Sequence, residues 1–88
     1  MAHTLEARYR GATLTLEIEP GEAASLRING LVRERQPLGQ SVVRLSSTVQ
    51  TDYEWHEFIE GIVTPGTGQI EARLVANNQE LAHEAFGV

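Results

Sequence analysis

The chain lacks cysteine and lysine, holds few aromatic residues, and nowhere runs apolar for long. Without cysteine there can be no disulfide framework and no thiolate metal site, so packing and hydrogen-bonded backbone must stabilise the fold. Without lysine there is no P-loop. The longest unbroken apolar run is Leu74-Val75-Ala76, far short of the ~18 residues of a membrane-spanning helix. The opening residues Ala2 to Arg8 carry charge in place of an apolar signal segment, so the expected location is cytoplasmic and no membrane partner is expected.

What is present is 88 residues, the size of a single domain, 1–88. A chain this short buries roughly 60–65% of the surface its unfolded form exposes, enough for one core. The net charge is −5, but it is unevenly placed. Residues 1–44 hold six of the seven arginines and sum to +1, whereas residues 45–88 hold Arg73 against seven acids and sum to −6. The basic candidates Arg27, Arg33, Arg35 and Arg44 are diluted by Glu34, so direct nucleic-acid binding is not expected.

The first half alternates with period two, the mark of half-buried strands. Leu5, Ala7 and Tyr9 alternate with Glu6, Arg8 and Arg10. Leu14, Leu16 and Ile18 alternate with Thr15 and Glu17, and Ala24, Leu26 and Ile28 with Ser25 and Arg27. Gly11 punctuates the first junction. Pro20-Gly21 has the order of a type II turn, and Asn29-Gly30 that of a type I′ hairpin. Four strands in three hairpins are expected up to Gln36.

After Pro37-Leu38-Gly39, residues 41–50 resume as a strand with Val43, Leu45, Ser47 and Val49 on one face. Pro65-Gly66, the alternating set Ile70, Ala72, Leu74 and Ala76, and Asn77-Asn78 echo the first half. The Pro-to-Asn spacing is 9 residues in the first copy and 12 in the second, which suggests a duplicated hairpin. Residues 78–86 read as a strand on the strength of that echo, although Leu81, Ala82, Ala85 and Phe86 also fit a helical stripe. Thr51-Asp52-Tyr53-Glu54 has the form of a capping box. Behind it, Trp55, Phe58, Ile59 and Ile62 fall at helical spacing, so 52–60 is either a short helix or a strand. The expected fold is mostly β: a small antiparallel sandwich or barrel of about six or seven strands built from hairpins. One short helix near 52–60 would make it α+β. The pattern Ser25-Leu26-Arg27-Ile28-Asn29-Gly30-Leu31, with its later echo, resembles the repeated hairpins of the Fas apoptotic inhibitory molecule sandwich. That resemblance implies a fold and carries over no activity or residue.

No motif carries chemistry. His56-Glu57-Phe58-Ile59-Glu60 has Glu60 where the zinc motif H-E-x-x-H needs its second histidine, so no metal is expected. Gly66-Thr67-Gly68-Gln69-Ile70-Glu71 has Glu71 where a dinucleotide-binding loop needs glycine, and it leads into a strand; no cofactor is expected. Ser41 lacks the final glycine of a nucleophile elbow. A triad of Ser46 or Ser47, His56 and Asp52 has no spacing to support it. Catalysis is therefore not the expectation.

One segment stands out as a candidate interaction surface: Asp52, Tyr53, Glu54, Trp55, Glu57 and Glu60. It holds the only tryptophan, and aromatic residues ringed by charge are the usual substance of protein contacts. The plainer alternative makes Trp55, Phe58 and Ile59 core and the carboxylates a solvated face. The expected function is a small binding or accessory module acting through protein–protein contact. A second copy is one possible partner, with Arg33, Arg35 and Arg44 as its complementary patch. The alternatives are an acidic mimic that inhibits a nucleic-acid-binding protein, or a small hydrolase centred on His56.

Overall fold

The computed structural model describes residues 2–50 and 56–87, without the side chains of Val49, Gln50 and His56. Eight strands follow one another: β1 (His3–Tyr9), β2 (Ala12–Glu19), β3 (Ala23–Ile28), β4 (Leu31–Pro37), β5 (Val43–Gln50), β6 (His56–Pro65), β7 (Gln69–Ala76) and β8 (Gln79–Gly87). They form two antiparallel four-stranded sheets, ordered β1-β2-β3-β4 and β5-β6-β7-β8. The architecture is the expected sandwich of hairpins, with more strands than the six or seven anticipated.

The turns form where positive φ is affordable. Arg10-Gly11, Asn29-Gly30 and Asn77-Asn78 each hold two successive residues at positive φ, as type I′ hairpins demand. Glu22 N–H donates to Glu19 O across Pro20-Gly21 at 2.9 Å, with Gly21 at φ 78°, as a type II turn requires. Gly66-Thr67-Gly68 is the expected loop, closed by Gly66 N–H donating to Gln69 O at 2.9 Å.

The strand expected over 78–86 is β8, Gln79–Gly87, in agreement with the echo, and Asn78 belongs to the turn before it. The helix considered for 52–60 is replaced, over the described residues 56–60, by the start of β6. Asp52, Tyr53, Glu54 and Trp55 lie outside the described residues. On β6 the period is two, so Glu57, Ile59, Gly61 and Val63 are buried while Phe58 points outward. The core role considered for Phe58 is thereby overturned. Pairing of 56–60 to β5, of Ile59 and Glu60 also to β7, and of Phe58 to Asn77 engages the backbone of this segment, and that outweighs its helical spacing.

The two sheets repeat one plan. In each, the asparagine that opens the third hairpin reaches back to the second strand. Asn29 N–H donates to Thr13 O (2.8 Å) and its Oδ1 accepts from Thr13 N–H (2.9 Å). Asn77 does the same with Phe58, at 2.9 and 3.1 Å. Each third hairpin carries a bulge, between Leu26 and Arg27 and between Leu74 and Val75. Leu16 lies between Leu5 and Leu26 just as Gly61 lies between Leu45 and Leu74. The hairpin duplication read from the sequence therefore extends to the whole of each sheet. The longer Pro-to-Asn spacing of the second copy falls between Pro65 and Glu71.

Between the sheets lies one apolar core, in which Leu14, Leu16, Ile18, Leu26, Ile28, Leu45, Ile59, Val63 and Leu74 are fully buried. At its centre the equivalent positions Leu16 and Gly61 meet. A Cβ on Gly61 would come within 2.9 Å of Leu16 Cδ1. Gly61→Val is expected to destabilise the protein by about 2 kcal/mol through overpacking. Leu16→Ala should cost about 3 kcal/mol through the cavity it leaves. The double variant should be more stable than the sum of the two losses, because the new methyls fill the space vacated. Urea denaturation of all three checks this, and strict additivity would mean that the two positions do not touch.

Candidate functional site

Strand directions bring three described turns to one end of the sandwich: Arg10-Gly11, Asn29-Gly30 and Asn77-Asn78. Near this end Tyr9 and Arg10 of the first sheet meet Glu57 of the second. Tyr9 Oη donates to Glu57 Oε2 at 3.4 Å, and Arg10 Nη1 lies 3.8 Å from Glu57 Oε1. Glu57 is only 7% exposed, which corrects its assignment to an exposed acidic surface. As the first inward residue of the described part of β6, it has its carboxylate turned toward the core rim. Its counterpart in the first sheet is the buried Ala12. The carboxylate is met by one phenol and one largely exposed guanidinium, so it ties the first turn to the second sheet.

Glu60 faces outward, half-buried, and pairs with Arg44 at 3.6 Å. Arg35 pairs with Glu19 at 3.6 Å. Two of the three arginines offered as a complementary patch for a second copy are thus engaged within the chain, leaving Arg33 exposed on the β4 bulge. Arg27–Glu17 and Arg73–Glu80, both at 3.5 Å, complete the ion pairs among the described residues. Each is solvent-facing and contributes at most about 1 kcal/mol.

Large apolar side chains are also exposed at this end. Leu31 (65% exposed) and Val32 (51%) follow the Asn29-Gly30 turn at the start of edge strand β4. Phe58 (45%) stands on the outer face of β6, opposite Thr48. Sequence reading passed over Leu31 and Val32. Their only signal was that two apolar residues in succession must place one on the outer face of a strand.

At the other end, Gly39, Gln40, Pro65, Gly66 and Thr67 line a shallow depression of about 360 Å³. It is open to solvent and lined by no ionisable side chain. Ser46 and Ser47, adjacent on β5, face opposite sides of their sheet. His56 pairs through its backbone with Gln50 at the start of β6, so the His56–Glu60 segment does not adopt the helix that the zinc motif presupposes. No group of three or more histidines, aspartates or glutamates placed to hold a metal occurs among the described residues. No helix among them is long and apolar enough to cross a membrane.

Over the described residues the chain is thus a two-sheet antiparallel sandwich of eight strands, with Leu31, Val32 and Phe58 exposed at one end. No protein-family model, curated protein or solved structure matches it.

Glu57→Met is expected to change stability by less than about 1 kcal/mol in urea titration. Removing a desolvated carboxylate offsets the loss of its two long polar contacts. A loss of several kcal/mol would show that those contacts are strongly stabilising. Glu57→Ala should be worse than Glu57→Met, since it also opens a cavity.

Proposed function

We propose that the protein is a small binding module that acts through protein–protein contact at the end bearing Leu31, Val32 and Phe58. The carrying observation is that three of the four large exposed apolar side chains of the described residues stand at this end. Leaving such half-exposed side chains in water forgoes about 1 kcal/mol or more each relative to full burial. Contiguous apolar exposure marks interaction surfaces; Leu31 and Val32, adjacent on edge strand β4, are its contiguous part, and Phe58 stands on the outer face of the second sheet at the same end. The partner is a protein that covers an apolar patch. Glu57 contributes to the patch by bracing the Arg10 turn from below and takes no part in charge steering.

The acidic-mimic reading gains no support. Glu17, Glu19, Glu57, Glu60 and Glu80 each lie beside an arginine, so these acids do not form an unbroken negative field. The same pairing engages five of the seven arginines, which argues against a basic surface for nucleic acid.

The test compares the parent with the variant Leu31→Ser/Val32→Ser/Phe58→Ser in crosslinking capture from the native host's lysate. The variant should keep its β-type circular dichroism, because all three positions are exposed. Proteins enriched by the parent should be lost from the variant. Equal recovery by both would sink the assignment of the patch.

A further inference from the structure

Each sheet ends in two edge strands, and an edge offers unpaired N–H and C=O groups to any strand that arrives. Three of the four edges are blunted. Strand β4 carries a bulge at Arg33 and ends in Pro37, and β8 carries a bulge at Leu81. Strand β5 is covered by polar side chains from β4: Glu34 Oε1 accepts from Ser46 N–H at 2.6 Å, and Gln36 Nε2 donates to Arg44 O at 3.4 Å.

Strand β1 is the counterpart of β5, and its neighbour β8 is the counterpart of β4. The residue of β8 that corresponds to Glu34 is Ala82, which has no polar group to give. Among the described residues, β1 and β8 form no backbone ladder, and no side-chain bond to the β1 edge is found. Their ends are joined by the His3–Phe86 ring stack, with centroids 4.7 Å apart. β1 itself is continuous, seven residues long, and pairs with β2 without any register shift. The backbone of Glu6 stands where Ser46 stands in β5, so the even-numbered residues of β1 present their N–H and C=O to this open edge.

We infer that the β1 edge is a self-association surface that pairs antiparallel with β1 of a second copy, about a two-fold axis at Ala7. Charge selects that register. Centred on Ala7, Glu6 lies opposite Arg8 of the other copy and Arg8 opposite its Glu6, which gives two cross-strand ion pairs on the outer face. The backbone groups of these residues face each other as hydrogen-bonded pairs. Shifted by one residue to centre on Glu6, the strands would oppose glutamate to glutamate. Glu6 and Arg8 are exposed and take part in no ion pair among the described residues. The contact is isologous and closes as a dimer, in which the first sheets of two copies join into one sheet of eight strands. A single strand pair buries less than a standard interface, so association depends on concentration. This surface is distinct from the apolar end and stands or falls independently of it.

Sedimentation equilibrium on the full chain tests the inference by charge exchange. The parent should show a concentration-dependent monomer–dimer equilibrium. Glu6→Arg, which opposes arginine to arginine, and Arg8→Glu, which opposes glutamate to glutamate, should each weaken it about tenfold. An equimolar mixture of the two variants should restore dimerisation as a heterodimer, and so should the double exchange Glu6→Arg/Arg8→Glu. Both positions are solvent-facing, and thermal denaturation should show every variant folded. A parent that stays monomeric at millimolar concentration would overturn the inference. So would single variants that dimerise as tightly as the parent, or a mixture that fails to associate.

Discussion

Contact between the two sheets rests on side chains. Every backbone ladder is formed within β1–β4 or within β5–β8, so the sandwich exists because leucine, isoleucine and valine fill the space between the layers. Gly61 sets the centre of that packing by leaving room for the end of Leu16. The polar links across the layers, Glu34 to Ser46 and Tyr9 to Glu57, sit at the rim and orient the sheets. The burden of stability falls on burial, which is large and non-directional. The rim bonds restrict which of the many possible slides of one layer over the other is adopted.

The same separation explains how much was legible in the sequence. A meander depends on local turns and on period two, and both are written in neighbouring residues. Leu14, Leu16 and Ile18 declare their face, while Asn29-Gly30 and Asn77-Asn78 declare their hairpins. Residues 56–60 stayed open between helix and strand because Phe58, Ile59 and Ile62 fit helical spacing as well as strand alternation. What decided between them was pairing to β5 and β7, and no local pattern encodes that. Glu57 was misread for a related reason. A carboxylate among acids looks like surface, yet its inward position is fixed by Ile59 and Val63 two and six residues on. Its partners Tyr9 and Arg10 lie far away in the chain.

The sequence pointed to the aromatic segment 52–60 and gave no sign of the pair Leu31 and Val32. A residue after a hairpin turn at a sheet edge lacks a neighbouring strand on one side. Its exposure follows from the strand order, which becomes known only once the sheets are assembled. The braced β5 edge was likewise invisible, since it depends on Glu34 and Ser46 coming together across the gap between sheets.

The extra length in the second Pro-to-Asn interval lies between Pro65 and Glu71, in the loop Gly66-Thr67-Gly68 and the added first residues of β7, and the ladders beyond keep the registers of their counterparts. The tip of that loop, Thr67, pairs with no neighbouring strand. Lengthening a flexible loop costs little, about 0.6 kcal/mol for each doubling. Foreign peptide could therefore be grafted at Thr67, remote from the asparagine-bearing end, and displayed there without retuning the interior.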